Sequence, residues 1–469
     1  MHDFLSLLPL IIITAGAILL MLLATREETK VEIASYISMG FYGVAFFVQL
    51  VVGCGPETTI FAPTFNGMLV ANNFSMAAGL VILGCGFFTA ISGHSYFKVN
   101  RFCTLEFYSI MMFAVSGMIL LTLSHELISA FIAIEIMSLA IYILVGYERK
   151  SAKATEAILK YLMLGAFAGA FFTMGTALIY GAVGSTKFVA IAAALSINKT
   201  FTPLMLGGGF FVLVALLFKV AAFPFHAWVV DVYDGAAAPV TGFMATALKT
   251  AVFAVFANFL AVHTTMHDGW VTFLFYLAVL TMFGGNLIAI GQDNIKRMLA
   301  ASGIVHSGYL MIALVALNAD QFSGSVIAYY LAAYAVGTLG IFAALSYLGG
   351  EGEKRANFDD FKGLAKVHPY SAAAITIFLL SMAGIPPTAG FMGKFYVITS
   401  AFSAGHIALA VLGIISSILS MWYYLRLIIT MYFHEATDTF EIEGAPLASF
   451  GTFALVFFVF VIALYPIAM

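Results

Sequence analysis

Apolar residues along this chain do not alternate. They run in long blocks, each about as long as a bilayer is thick, separated by short polar intervals. Fourteen blocks stand out: 5–24, 33–52, 74–91, 105–123, 127–147, 157–183, 204–228, 240–261, 271–290, 298–317, 325–348, 371–401, 407–432 and 447–467. Blocks of roughly 20 apolar residues predict membrane-crossing helices, whereas a barrel would show short alternating strands. The expected fold class is therefore an all-α polytopic membrane protein. No polar interval exceeds about 20 residues, too few for a soluble domain, so 1–469 is expected to form a single transmembrane domain.

Two blocks are interrupted. The seventh contains LLFKVAAFPFHAW, with Lys219, Pro224 and His226 close together. Proline removes a backbone donor and clashes with the preceding turn, so the helix must break there. The twelfth carries GIPP at 384–387. These are the fourth members of two five-span sets, spans 4–8 and 9–13. Five is odd, so a repeated set has inverted topology, and paired broken helices are the sequence pointer to such a repeat. Offsets agree in part: Glu135 to His306 is 171 residues and Lys219 to Lys394 is 175. Adding 175 to Lys249 reaches Tyr424, but Pro224 to Pro386 is only 162, which demands a gap or a different break position. The resulting division is 1–104 for three leading helices, 105–263 and 264–432 for the repeats, and 433–469 for the last helix.

Charge adds orientation. Of 469 residues, 62% are hydrophobic and only 9% charged, against about 25% charged in soluble domains. Fourteen of the 20 Lys and Arg fall on the side of the loops that follow odd-numbered spans, while only Lys187 and Lys199 follow even ones. The positive-inside rule then predicts both termini outside the cytoplasm, in a bacterial-type inner (plasma) membrane. The first residues, MHDFLSLLPL, lack a basic leader, so the first span is expected to be retained. A net charge of −3 and the lack of a basic stripe argue against nucleic acid. Cys54, Cys85 and Cys103 have no CxxC spacing and read as small apolar residues.

Four basic residues lie inside spans: Lys219, Lys249, Lys394 and Arg426. A charge at bilayer depth costs at least about 2.5 kcal/mol and is functional by default. Glu135, in FIAIEIMSLA, is the one carboxylate deep inside a predicted span, and it is the expected partner of Lys219. Lys249, in TGFMATALKTAVF, has no carboxylate in its own span, which suits a proton carrier. Lys394 follows the second break and suits an outward terminal site. His306, in SGIVHSGYL, sits between small neighbours and is placed to bridge the lysines. His226 is a candidate link from the first break to the cytoplasm. Asp231 and Asp234 are expected in a solvated cytoplasmic turn, as helix caps or as a funnel or subunit contact. Arg426, near a span end, is expected to snorkel. A membrane cytochrome would need facing pairs of deep histidines, and the sequence has no such set.

Three segments carry a resemblance: KVAAFPFHAWVVDVYDGAAAPV, QDNIKRMLAASGIVHSGYL and GIPPTAGFMGKFYV. They resemble the signature segments of the antiporter-like subunits of complex I, the proton-pumping NADH:quinone oxidoreductase, and the likeness runs over the whole chain. That family, which extends to multisubunit sodium/proton antiporters and membrane-bound hydrogenases, implies fourteen helices, inverted five-helix repeats and broken seventh and twelfth helices. It also implies a proton path through Glu135, Lys219, Lys249, His306 and Lys394. Lys394 stands where one kind of these subunits typically has glutamate, and the chain shows no long extension after span fourteen. The resemblance implies no cofactor or metal in this chain. FMN, iron–sulfur clusters and quinone would belong to partner subunits, and the expected neighbours are other membrane subunits, including an antiporter-like one, and lipid. The rival expectations are a sodium/proton antiporter subunit and, in another class, a non-pumping structural membrane module.

Overall fold

The computed structural model describes residues 2–25, 31–53, 63–100, 102, 104–198, 202–263, 268–317, 323–436, 440 and 445–465. Arg26, Lys30, Arg101 and Lys199 of the charge map, and Cys54 and Cys103, lie outside the described residues.

Twelve helices among the described residues are long and apolar enough to cross a membrane, and two shorter apolar ones, Pro203–Lys219 and Pro369–Ala383, fill the seventh and twelfth places. The fourteen expected spans are thus all present, and the two short ones are the two that the sequence interrupts. Most ends shift by a few residues, while the third span runs on to Asn100 rather than stopping at 91. Thr202 accepts from the Met205 amide to start the seventh span, and Asn294 accepts from Arg297 to start the tenth at Ile295. A helix that the blocks did not predict, Phe188–Asn198, lies between the sixth and seventh spans.

Both breaks form as expected. The seventh span stops at Lys219, runs without helix past Pro224, and resumes as the short helix Val229–Gly235. Asp231 and Asp234 therefore sit on a helical turn rather than in a free loop. The twelfth span stops at Ala383 and resumes as Ala389–Ser403. In lipid each freed backbone group needs a partner inside the protein. At the first break Ser307 donates to the Val220 carbonyl at 2.7 Å, the Phe223 amide donates to Thr281 at 3.1 Å, and the Trp228 indole donates to the Phe218 carbonyl at 3.2 Å. Ser307 belongs to the tenth span and Thr281 to the ninth, so the second set of helices closes the break in the first.

Burial separates the spans by role. The eighth and tenth are buried along their whole membrane length, whereas the first, second and last face outward along most of theirs. The centre is thus made by the spans that carry Lys249 and His306. The eighth span also departs from α geometry. Met244–Leu248 forms a π turn just before Lys249, a feature that recurs at functional sites.

Candidate functional site

Lys219, Lys249, His306 and Lys394 are all at least 95% buried. Each is held by neutral acceptors and aromatic rings rather than by a contacting carboxylate. Lys219, the last residue of its helix, donates to Ser138 at 2.7 Å and to the Tyr142 hydroxyl at 3.3 Å. Its ammonium also lies 5.5 Å from the Tyr142 ring centre and 5.9 Å from that of Tyr161, within the range of a cation–π contact.

Glu135 is half-buried, and its carboxylate lies against Gly169 of the sixth span, where an added Cβ would stand 2.9 Å from Oε1. No ion pair within 4 Å joins Glu135 to Lys219 among the described residues. Lys219 instead bonds Ser138 and Tyr142, three and seven residues after Glu135 and hence on the same helical face.

Lys249 donates to the carbonyl of Gly303 on the tenth span, with its ammonium 5.5 Å from the Tyr334 ring centre. Gly303 leaves the space for this approach: a Cβ there would lie 3.1 Å from the ammonium and 3.2 Å from the Tyr334 hydroxyl. His306 bonds Tyr330 through Nδ1 at 2.7 Å and Tyr424 through Nε2 at 3.3 Å, and its ring centre is 4.7 Å from that of Tyr334. A cavity of about 10 Å³ touches His306, Tyr330, Tyr334 and Ser381, about the room of one water. Lys394 donates to the Ala383 carbonyl at 2.9 Å and to Ser417 at 3.0 Å, over the Tyr309 ring at 5.1 Å.

Tyrosines make these positions continuous. Tyr334 touches both Lys249 and His306, and Tyr309 lies between His306 and Lys394. Tyr161, beneath Lys219, stacks on Trp228 with ring centres 4.6 Å apart. The structure thus brings Lys249, His306 and Lys394 together through shared tyrosines, with Lys219 buried at the first break and Glu135 on the span that supplies its hydroxyl partners. Ser138, Tyr142, Tyr309, Tyr330, Tyr334 and Ser417 were not predicted from sequence. The available signal was helical spacing from Glu135 and His306, and Tyr424 had already been reached by the 175-residue offset from Lys249.

The remaining candidates lie off the line. His226 stacks on Phe223 with ring centres 5.0 Å apart, and its buried Nδ1 has no hydrogen-bond partner among the described residues. Asp231 pairs with Lys160 at 2.6 Å and Arg297 at 3.0 Å, and Asp234 with Lys153 at 3.3 Å. The Lys160 contact, followed by that of Arg297, holds the Asp231 carboxyl below its usual range. Arg426, expected to snorkel, is partly exposed and pairs with exposed Asp293 at 2.6 Å, with its guanidinium over the Phe358 ring. Buried Cys85 is a free thiol. No group of three or more His, Cys, Asp or Glu among the described residues could hold a metal.

Residues 124–420 match the profile of the NADH:quinone oxidoreductase/Mrp antiporter transmembrane family. NADH-quinone oxidoreductase subunit N 1 of Solibacter usitatus is 37% identical over 97% of this chain and 92% of that protein. Subunit N of Chloroflexus aggregans is 38% identical over 95% and 90%. Among solved structures, a chain of respiratory complex I from Thermus thermophilus superposes with a TM-score of 0.82 at 30% identity, covering 97% of both chains. A chain of the membrane-bound sulfane sulfur reductase, an archaeal respiratory membrane complex, gives 0.86 at 25% identity over 99% and 94%. The Mrp complex of Dietzia shares the fold, at 0.82 and 20% identity. By profile, by relatives and by fold, the chain belongs to the NADH:quinone oxidoreductase/Mrp antiporter membrane family.

Proposed function

We propose that this chain is a proton-translocating membrane subunit of an NADH:quinone oxidoreductase. Protons move along the buried line from Lys219 through Lys249 and His306 to Lys394. The observation that carries this reading is that three lysines and a histidine are each buried in the protein interior, and that Lys249, His306 and Lys394 are joined by shared tyrosines. Such a set costs several kcal/mol in lipid and has no packing purpose. The chain moves charge and does no redox chemistry. FMN, iron–sulfur clusters and quinone are assigned to partner subunits, whose electron transfer supplies the energy.

Glu135 supports a place beside another membrane subunit. It is half-buried on a face whose neighbours Ile132, Ile136 and Leu139 are exposed. A carboxylate on such a face calls for a polar partner rather than lipid. The basic-loop bias supports both termini on the outer side of a bacterial inner membrane. The paired breaks support two inverted repeats, 105–263 and 264–432. His226 is assigned a lesser role at the first break, off the main line.

The test is Lys219→Ala in the assembled complex, reconstituted in vesicles. The expected result is loss of coupled proton pumping with the complex still intact, in sodium-free buffer as well as with sodium. A normal proton-to-electron ratio in that variant would overturn the reading, and pumping that requires sodium would replace it with sodium transport.

A further inference from the structure

A second polar cavity, of about 90 Å³, lies apart from the lysine line. That is room for several waters. Its charged and phenolic walls are Tyr96, Glu148, Lys153, Asp234, Lys296 and Glu353. They come from the ends of the third, fifth and seventh spans, the starts of the sixth and tenth and the loop after the eleventh. All of these are on the basic-loop side, the side the charge bias places in the cytoplasm. The remaining wall includes Gly235, Ala236 and Ala237, the residues that join the short helix Val229–Gly235 to the eighth span.

One pair builds this cavity. Lys296 is 5% exposed, pairs with Glu353 at 2.7 Å and donates to the Ala236 carbonyl at 2.6 Å. The other carboxylate oxygen of Glu353 accepts from the Ala238 amide at 2.7 Å. Glu353 is held at φ +51 to do so, a left-handed conformation that costs a non-glycine residue about 1–2 kcal/mol. Retained strain of this kind clusters at functional positions. The pair therefore holds the Ala236 carbonyl, two residues before the span that carries Lys249, and the first amide of that span, at Ala238. Lys153 and Asp234 are likewise paired. That leaves Glu148 as the carboxylate of the cavity with no ion pair among the described residues.

We propose that this cavity is the proton-loading vestibule of the chain, with the Glu148 carboxylate as the group that takes each proton from the aqueous side. The proposal rests on the reading of the chain as a proton translocator. Glu353 is already engaged by Lys296 and the Ala238 amide, and Asp234 by Lys153. Glu148 is half-buried and shares the cavity with Glu353. Burial, then that neighbour, raises its affinity for a proton against a smaller opposing effect of Lys296. A proton taken up by Glu148 passes to cavity water and leaves the carboxylate ready for the next. Asp234 and Gly235 join the cavity to the short helix of the first break, on whose far side Lys219 ends the preceding helix.

The experiment compares wild type, Glu148→Gln, Glu148→Asp and Lys219→Ala in the intact complex in vesicles, with pumping followed from pH 6 to 9. With Glu148→Gln, uptake depends on bulk protons alone. Its pumping rate should therefore fall relative to wild type by up to about tenfold per pH unit as the medium becomes alkaline. Glu148→Asp should restore most of the rate with its fall-off moved to lower pH, and it carries the test if the glutamine variant does not assemble. A Glu148→Gln profile that superposes on wild type overturns the vestibule. So does a loss that is uniform across pH and is not relieved in Glu148→Asp, since that marks a structural role. Lys219→Ala separates the two proposals: if it pumps normally the translocator reading fails, whereas if it alone fails to pump only the vestibule is lost.

Discussion

Gly384 offers a sharp test of whether the second break exists to seat Lys394. It ends the helix Pro369–Ala383 with φ +84, and its amide bonds the Leu380 and Ser381 carbonyls. Alanine at such a φ costs about 1–2 kcal/mol. The new Cβ would also lie 2.8 Å from Cδ of Lys394 and 3.5 Å from its ammonium. The lysine stem must then move, and with it the 2.9 Å bond to the Ala383 carbonyl. A hydrogen bond from a charged donor is worth about 1.5–3 kcal/mol, so Gly384→Ala should cost about 2.5–5 kcal/mol in all. Gly405 is the control. It has nearly the same φ, +83, at the far end of the same span, but a Cβ there meets nothing within 4 Å. Gly405→Ala should carry the backbone strain alone. The assay is thermal inactivation of the purified complex, paired with its proton-to-electron ratio in vesicles. Both variants should lose thermal stability, but only Gly384→Ala should lose coupling. Equal coupling in the two would refute a role for the break in positioning Lys394.

Two other substitutions probe different parts of the structure. Gly303→Ala places a methyl against the Lys249 ammonium and the Tyr334 hydroxyl; pumping should slow while assembly, seen on native gels, is kept. Asp231→Asn removes the contacts to Lys160 and Arg297. Asp231 is about a third exposed, so solvent and salt screen the pairs and the loss at pH 7 is about 1 kcal/mol or less. Its folded-state carboxyl is held below the ordinary value of 3.8. The stabilisation is therefore complete above that value and disappears as pH falls through the lower folded-state value. Thermal inactivation should separate variant from wild type at pH 7, less so in high salt, and the gap should close in strong acid.

Most of the fold was legible in the sequence because the bilayer imposes a one-dimensional rule. A crossing helix needs its length in apolar residues wherever it packs, so the fourteen spans and both breaks could be read without knowing a single contact. The buried cations were legible for the same reason, since cost depends on depth alone. Partners were not. Whether Lys219 meets Glu135 or Ser138 depends on how the fifth span rotates against the seventh, which no apolar pattern encodes. The tyrosines were hidden because an aromatic residue at helical spacing reads equally as packing. The π turn before Lys249 was invisible, because MATAL has nothing that marks an extra residue per turn. The Lys296–Glu353 clamp joins positions 57 residues apart through loops whose paths the sequence does not give.

The two breaks differ in build, since Lys219 ends the helix before the first and Lys394 lies in the helix after the second. They also differ in charge, which on the proposed path gives a direction. At the first, Lys219 bonds the residue three places after Glu135; at the second, Lys394 lies over the residue three places after His306. The offset of three repeats, but the carboxylate of the first set is replaced by an imidazole in the second. A cation on Lys219 bonds a hydroxyl one helical turn from a carboxylate. A cation on Lys394 has a carbonyl, a serine and a ring. Two unit charges about 8 Å apart repel by about 2 kcal/mol at an effective dielectric of 20, or roughly thirtyfold in occupancy. A proton arriving at the first set can therefore wait beside Glu135, whereas one at the second is pushed onward by the next arrival. An inverted repeat with identical charges would pass protons equally well both ways. The replacement of Glu by His at a matching position breaks that equivalence without altering the helices. That bias orders the steps but adds no energy, so net transport against a gradient must draw on partner subunits.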